Sequence, residues 1–333
     1  MTGVPLTVLA ERLAGADDVF VFTHEFADGD ALGSVVALVL FLRAMGKDVQ
    51  AFVPGKVQRA YRFLDTDALL NTMTMEQGIE RCSSRHVTCL SADAAEASRL
   101  GEWRPLFERG AERLVIDHHA TNAGFGDAYL VDGEASSCCE VILELFETMG
   151  SERISTPVAT ALYAGLVADT GSFQFANTGA PSLIHGARLI DLGASPDDVS
   201  RSIYEARPYG NVRLMASSLC ASRLLYAGKV VLSYVTRGML EESGALDEDT
   251  EGITDELRRI EGTRAVVLLK ETRDDSIKVS LRGKYGFDVK RVATAFGGGG
   301  HLLAAGCTVQ SDLAAAEELV LLEFDRYLGP SRT

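Results

Sequence analysis

The run "VFTHEFADGDALGSVV", residues 21–36, leaves an apolar strand-like stretch, sets His24, Asp28 and Asp30 within seven residues, and enters an apolar helix-like stretch. Imidazole and carboxylate side chains at that density are the donors of a divalent-cation site. More of them fall at other predicted strand ends: Asp93 closes "HVTCLSAD", Asp117, His118 and His119 close "RLVIDHH", and Asp169 lies in "LVADTGSF". None is a cysteine, so the set suits Mn²⁺, Mg²⁺, Fe²⁺ or Zn²⁺ better than a structural zinc finger. Asp28, Asp30, Asp93 and Asp169 would repel one another without cations to neutralise them. Two divalent ions roughly 3.5–4 Å apart, bridged by one carboxylate and a water, would remove that conflict and support an in-line phosphoryl displacement. Each residue alone has an ordinary reading as a turn, a helix cap or a satisfied core histidine. Asp169, inside an apolar run, calls for a partner. Their joint placement at the ends of strands gives the set its meaning. His86 and His185 lack that placement and read as structural or exposed.

The elements that would position these residues follow from hydrophobic patterning. Strands are expected at 18–23, 49–53, 86–93, 113–119 and 128–132, with helices at 31–45, 136–150 and 157–171. Such alternation predicts an α/β fold, a parallel sheet with helices on both faces and ligands at the carboxyl ends of its strands. After Ala176 the pattern turns almost wholly helical, and from Lys229 strands return as "KVVLSYV", "RAVVLLKET" and "IKVSLRG", followed by helix "DVKRVATAF" and a closing helix at about 312–328. The expected organisation is a catalytic domain over 1–176, a helical connector over 177–226 and a smaller α+β domain over 227–333.

With 333 residues, 47% hydrophobic and 24% charged, the chain has the composition of an ordinary globular protein long enough for two domains. Its longest apolar run, Ala31 to Leu42, is too short to cross a membrane and reads as a buried helix. No export signal is evident at the N-terminus, so the cytoplasm is the expected compartment and no membrane partner is expected. The six cysteines form no CxxC pair, and several sit among apolar residues and read as small core residues. A net charge of −15 argues against a long nucleic-acid track but not against short phosphorylated substrates.

A second feature is "FGGGGHLLAAGC", residues 296–307. Gly297, Gly298, Gly299 and Gly300 are expected to form neither helix nor good strand, and their N–H groups can approach an anion closely. It is not a P-loop, because no GK[ST] follows. Arg282 and Lys284 in "SLRGKYGFDV" could meet the same phosphate, and His301 adjoins it.

Taken in order, "HEFADGDALGS", "SAD", "VIDHHAT", "VADTGSF" and "SLRGKYGFDV…FGGGGHLLAAG" resemble the DHH phosphoesterase family with its associated C-terminal domain, across both predicted domains. The similarity is to the stand-alone nano-RNase and 3′-phosphoadenosine-5′-phosphate (pAp) phosphatase subgroup. That resemblance implies two Mn²⁺ ions, with Mg²⁺ or other divalent ions as substitutes. His24, Asp28 and Asp93 would hold one; Asp30, Asp93, His118 and Asp169 the other, with Asp93 bridging. It implies that a hydroxide shared by the ions attacks phosphorus. His119 would contact the scissile phosphate and assist the leaving oxygen, and Asp117 would orient the neighbouring imidazoles. Arg282, Gly297–Gly300 and His301 would grip the substrate's other phosphate or terminal nucleotide, with Ser136 or Ser137 a further phosphate contact. The expected substrates are short RNA and nucleotides, and the subgroup is often dimeric. Where the family often carries Asn-Pro, this chain has Phe26-Ala27; neither is a ligand, so the chemistry is expected to survive.

Rival readings are a cyclic-di-AMP or linear pApA phosphodiesterase, a RecJ-type exonuclease, an inorganic pyrophosphatase and an inactive nucleotide-binding protein. The glycine run argues against the pyrophosphatase. One Trp, 7% aromatics and the acidity argue against the exonuclease, and an intact ligand set argues against inactivity. Sequence does not separate the dinucleotide phosphodiesterases.

Overall fold

Five of the apolar runs form strands of one parallel sheet, joined by a two-residue strand at the N-terminus that the sequence did not announce. The computed structural model describes residues 2–64, 69–205, 207–250, 252–330 and 332. The chain divides into two compact units, residues 1–206 and 207–333.

In the first unit the strands are β1 (Thr2–Gly3), β2 (Asp18–Phe22), β3 (Asp48–Phe52), β4 (Val87–Ala92), β5 (Glu112–Asp117) and β6 (Ala128–Val131). They lie in the order β1-β6-β5-β4-β2-β3, every pair parallel. A parallel sheet is covered on both faces, so its central strands are apolar throughout rather than alternating. Along β2, Val19 and Val21 join the core beneath the helices Gly29–Ala44, Cys138–Gly150 and Thr156–Asp169. Phe20 and Phe22 point the other way, where they meet Phe52 and Phe107 at ring separations of 5.1 and 5.6 Å.

Helices Gly29–Ala44 and Thr156–Asp169 are apolar on nearly every face because they are buried on nearly every face. Among the described residues no helix is long and apolar enough to cross a membrane. These two helices cross at glycines. A methyl added at Gly33 would sit 2.4 Å from the Ala161 carbonyl oxygen, and one at Gly165 2.9 Å from an Asp30 carboxylate oxygen.

The second unit is a mixed sheet of β7 (Arg223–Leu225), β8 (Val230–Val235), β9 (Ala265–Glu271), β10 (Ile277–Gly283), β11 (Gly299–His301) and β12 (Ala304–Val309). Its order is β11-β12-β10-β9-β8-β7, with only β8 and β9 parallel. Helix Leu313–Leu328 supplies Val320, Leu321 and Phe324 to one face; helix Tyr209–Cys220 supplies Leu214 and Met215 to the other. The helices after Ala176 are thus shared, Ala180–Asp191 and Pro196–Ser200 lying in the first unit and Tyr209–Cys220 in the second. The glycine run corrects one expectation, since Gly299 and Gly300 belong to edge strand β11. A Cβ would lie 2.2 Å from the Gly306 carbonyl oxygen at Gly298 and 2.4 Å from that of Ala304 at Gly300, so only bare backbone packs there.

The close crossing gives a test with a definite sign. Alanine in place of a helical glycine ordinarily gains about 1 kcal/mol. Gly33→Ala is instead expected to lose about 1–3 kcal/mol in urea unfolding, because the Ala161 carbonyl cannot move aside. A variant as stable as the parent would refute the close approach.

Candidate metal centre

Strand β4 lies between β2 and β5, so the segments leaving the carboxyl ends of all three meet above one edge of the sheet. From β2 the chain passes to β3 on one side and then crosses back to β4 on the other, so the gap between β2 and β4 is the topological switch point where such sheets bind ligands. His24 follows β2, Asp93 follows β4, and Asp117 ends β5 just before His118 and His119. Asp28 caps helix Gly29–Ala44, accepting from the N–H groups of Asp30 and Ala31 at 3.1 Å each, while Asp30 lies in that helix's first turn. The cap reading and the ligand reading of "DGD" therefore describe the same residues. Asp169 is the last residue of helix Thr156–Asp169, brought in by the glycine crossing.

Three overlapping groups of donors result: His24, Asp28 and Asp93; Asp30, His118 and Asp169; and Asp93, His118 and His119. Asp93 faces two ways. Its Oδ2 is 3.5 Å from His24 Nε2, and its Oδ1 is 3.6 Å from both His118 Nε2 and His119 Nδ1. His118 Nε2 is also 3.8 Å from Asp30 and 3.5 Å from Asp169. Asp93 has φ +56°, a left-handed conformation that is costly for a residue with a Cβ and recurs at functional sites.

Hydrogen bonds outside the cluster fix which atoms face inward. His24 Nδ1 lies 2.8 Å from the Glu25 carbonyl oxygen and His118 Nδ1 3.3 Å from that of Ala135. Because a carbonyl only accepts, His118 Nδ1 carries the proton and its Nε2 presents a lone pair to the carboxylates, while His24 Nδ1 also faces Arg99 Nη2 at 3.3 Å and its Nε2 lies toward Asp28 and Asp93. Asp30 accepts from the Cys138 and Cys139 N–H groups at 2.6 and 3.0 Å, at the positive end of a helix. The thiols of those cysteines turn toward the Ile116 and Asp30 carbonyl oxygens. Burial first, then the neighbouring carboxylates, pushes both thiols up and keeps them protonated.

The carboxylates are in electrostatic conflict. Burial, followed by repulsion from Asp30 and Asp28, raises Asp169 to about 8 and Asp93 well above its ordinary value. Asp30 is raised chiefly by burial. Asp93 Oδ1 is buried without a hydrogen-bond partner. An orphaned oxygen, crowded carboxylates and inward lone pairs are what a divalent cation would satisfy, so the residues fit such ions. His119 behaves differently. Its Nδ1 is 2.8 Å from Asp117, whose hydrogen bond raises the imidazole to about 9. Burial opposes ionisation of Asp117, but bonds from His119, from Asn122 Nδ2 at 2.7 Å and from the His118 N–H outweigh it and hold the carboxyl below its ordinary value.

Other predicted residues fall elsewhere. Ser136 is buried, with its N–H and Oγ donating to Glu140, and Ser137 is the buried N-cap of helix Cys138–Gly150. Neither hydroxyl is presented to a ligand. Lys284 is likewise engaged, donating to the Arg258 and Ile260 carbonyl oxygens. Arg282 sits half-buried on β10, with a bond only to its neighbour's carbonyl among those described. The Gly297 and Gly298 N–H groups close the turn after helix Lys290–Thr294, while Gly299 and Gly300 lie in β11. The His301 side chain lies outside the described residues. Sequence reasoning missed Asn122, Glu140 and Asn177, which carry no periodic signal and act through loops.

An open parallel sheet with a carboxylate–imidazole cluster at its switch point defines a metal-dependent hydrolase on an α/β scaffold. Residues 18–166 match the DHH family, N-terminal domain, and residues 227–328 match the DHHA1 domain. The chain is 31% identical over 323 residues to the bifunctional oligoribonuclease and PAP phosphatase NrnA of Thermus thermophilus, covering 95% of this chain and 92% of that protein. The Bacillus subtilis protein of the same description is 29% identical over 308 residues, 92% of this chain and 93% of that one. In fold, the chain resembles an exopolyphosphatase-related protein from Bacteroides fragilis, with a TM-score of 0.89 at 24% identity and 97% of each chain covered. The chain belongs to the DHH family of phosphoesterases, hydrolases of phosphate ester bonds.

The raised groups set a pH dependence. Asp169 at about 8, against an ordinary 3.8, and His119 at about 9, against 6.5, both hold protons more tightly folded than unfolded. Their stabilisation is complete below the unfolded values and is lost as pH rises through the folded ones. Metal-free protein is therefore expected to lose several degrees of Tm between pH 6 and 9. Saturating Mn²⁺ should raise Tm by an amount that grows over the same range, read by thermal unfolding with chelator or with MnCl₂. A constant or shrinking difference would contradict the electrostatic account.

Proposed function

We propose that this phosphoesterase hydrolyses short oligoribonucleotides to 5′-mononucleotides and converts pAp to AMP and phosphate, using two Mn²⁺ ions, with Mg²⁺ or other divalent ions as substitutes. The substrate class rests on the Thermus and Bacillus relatives, which the chain matches along nearly its whole length. The observation that carries the two-ion reading is Asp93, with one carboxylate oxygen toward His24 and the other, without a hydrogen-bond partner, toward His118.

In this reading His24, Asp28 and Asp93 hold one cation; Asp30, Asp93, His118 and Asp169 hold the second. When bound, the ions supply Lewis acidity toward the phosphoryl oxygens and make water a competent nucleophile near neutral pH. The remaining work belongs to the chain. Asp117 accepts from His119 Nδ1, fixing the ring and leaving Nε2 for the substrate. A proton on Nε2 of His119 passes to the departing ribose oxygen as its bond to phosphorus breaks and the oxygen of water forms the new one. Arg282 and His301 contact the substrate's other phosphate or terminal nucleotide, beside the Gly297–Gly300 run, whose lack of side chains leaves room for it; a guanidinium without an ion-pair partner among the described residues suits that role.

Purified protein with MnCl₂ should release mononucleotides from a 5′-labelled diribonucleotide and phosphate from pAp, faster than it degrades a 24-mer. Turnover confined to pApA, cyclic di-AMP or pyrophosphate would overturn the substrate, and silence on all of them with metal bound would overturn the activity. Asp93→Ala should lower kcat by more than the roughly 10–100-fold typical of residues that merely orient ligands. Arg282→Ala should chiefly raise KM with metal content unchanged; loss of metal in that variant would refute the division of roles.

A further inference from the structure

One short segment, residues 135–139, contacts two members of the cluster directly and a third through Asn177. The Ala135 carbonyl oxygen lies 3.3 Å from His118 Nδ1, and the Cys138 and Cys139 N–H groups donate to Asp30. Asn177 Nδ2 donates to the carbonyl oxygens of both Ser136 and Asp169, at 3.0 and 3.1 Å. Asp30, His118 and Asp169 are together one of the donor groups. His24 and Asp28 take their contacts elsewhere, from Glu25 and from the first turn of helix Gly29–Ala44.

Glu140 holds that segment. Its side chain is 4% exposed. Oε2 accepts from the Ser136 N–H at 2.7 Å and the Ser136 Oγ–H at 2.8 Å, and Oε1 faces His185 Nδ1 at 3.3 Å. Ser182 Oγ donates to Ser136 Oγ at 3.1 Å, tying the same point to helix Ala180–Asp191. A buried carboxylate must keep its donors, so residues 135–139 are held where Glu140 needs them. The His185 contact also gives a role to a histidine that the sequence left without one.

We propose that Glu140 is a positioning residue for one half of the centre only, orienting Asp30, His118 and Asp169 through residues 135–139 and Asn177 while leaving the His24–Asp28–Asp93 half untouched. This rests on the two-cation reading above. A helix-capping role alone would lower stability without distinguishing the two halves.

The test is calorimetric titration of metal-free protein with MnCl₂. The unaltered protein should show two binding events, and His24→Ala identifies which belongs to the His24 half. Glu140→Ala should weaken the other event by about 10–100-fold and leave the His24 event within about threefold. Glu140→Gln, whose amide oxygen still accepts from Ser136, should restore much of the loss. Asn177 is exposed, so Asn177→Ala should fold even if Glu140→Ala does not, and should weaken the same event. Both events changed alike, or neither changed, in variants with native circular dichroism would overturn this proposal alone. Failure of the unaltered protein to show two events would overturn the two-cation reading and this proposal with it.

Discussion

Four carboxylates brought together, Asp30 and Asp93 buried and Asp28 at the solvent edge, are the constraint on which the first unit is built. Asp28, Asp30, Asp93 and Asp169 come from a helix cap, a helix first turn, a strand end and a helix last turn, and nothing in their local structure makes their proximity favourable. The chain holds them by means insensitive to that repulsion. The glycine crossing of two apolar helices and the register of β2, β4 and β5 place the carboxylates from outside. The folding free energy of a well-packed core, together with the N–H groups donating to Asp28 and Asp30 and the imidazoles beside the carboxylates, opposes the electrostatic cost.

The same logic explains the apolar character of helices Gly29–Ala44 and Thr156–Asp169. An amphipathic helix can shift or roll on a core, whereas one packed on every side has a single seat. Asp30 at the start of one and Asp169 at the end of the other inherit that fixity. The ring orientations of His24 and His118 are set separately, by carbonyl groups of the neighbouring loops.

Much of this was legible in the sequence because strand ends are legible. The runs leading to His24, Asp93 and His118 are apolar and short, each meeting a polar residue where the sheet stops, so convergence followed from topology. What escaped was carried by single hydrogen bonds. Glu140 lies in a segment that reads simply as a helix, and Asn177 opens the stretch that reads as a helical connector. The two-residue strand β1 is too short for periodicity and exists through pairing with β6. Glycines 299 and 300 were read from their conformational freedom, yet the close backbone of β12 draws them into an edge strand. Ser136 and Ser137 showed a helix start, but not that their hydroxyls were already engaged.

The thiols of Cys138 and Cys139 carry a consequence for metal choice. The N–H groups of these cysteines hold the Asp30 carboxylate, while neither sulfur belongs to any of the donor groups among the described residues. Their seats in the core, turned toward carbonyl oxygens and held protonated by burial, withhold that sulfur from coordination. The donor set stays oxygen and nitrogen, biased toward hard and borderline cations and away from copper(I) or cadmium. A site so built would discriminate as much through ligands kept out of reach as through those supplied.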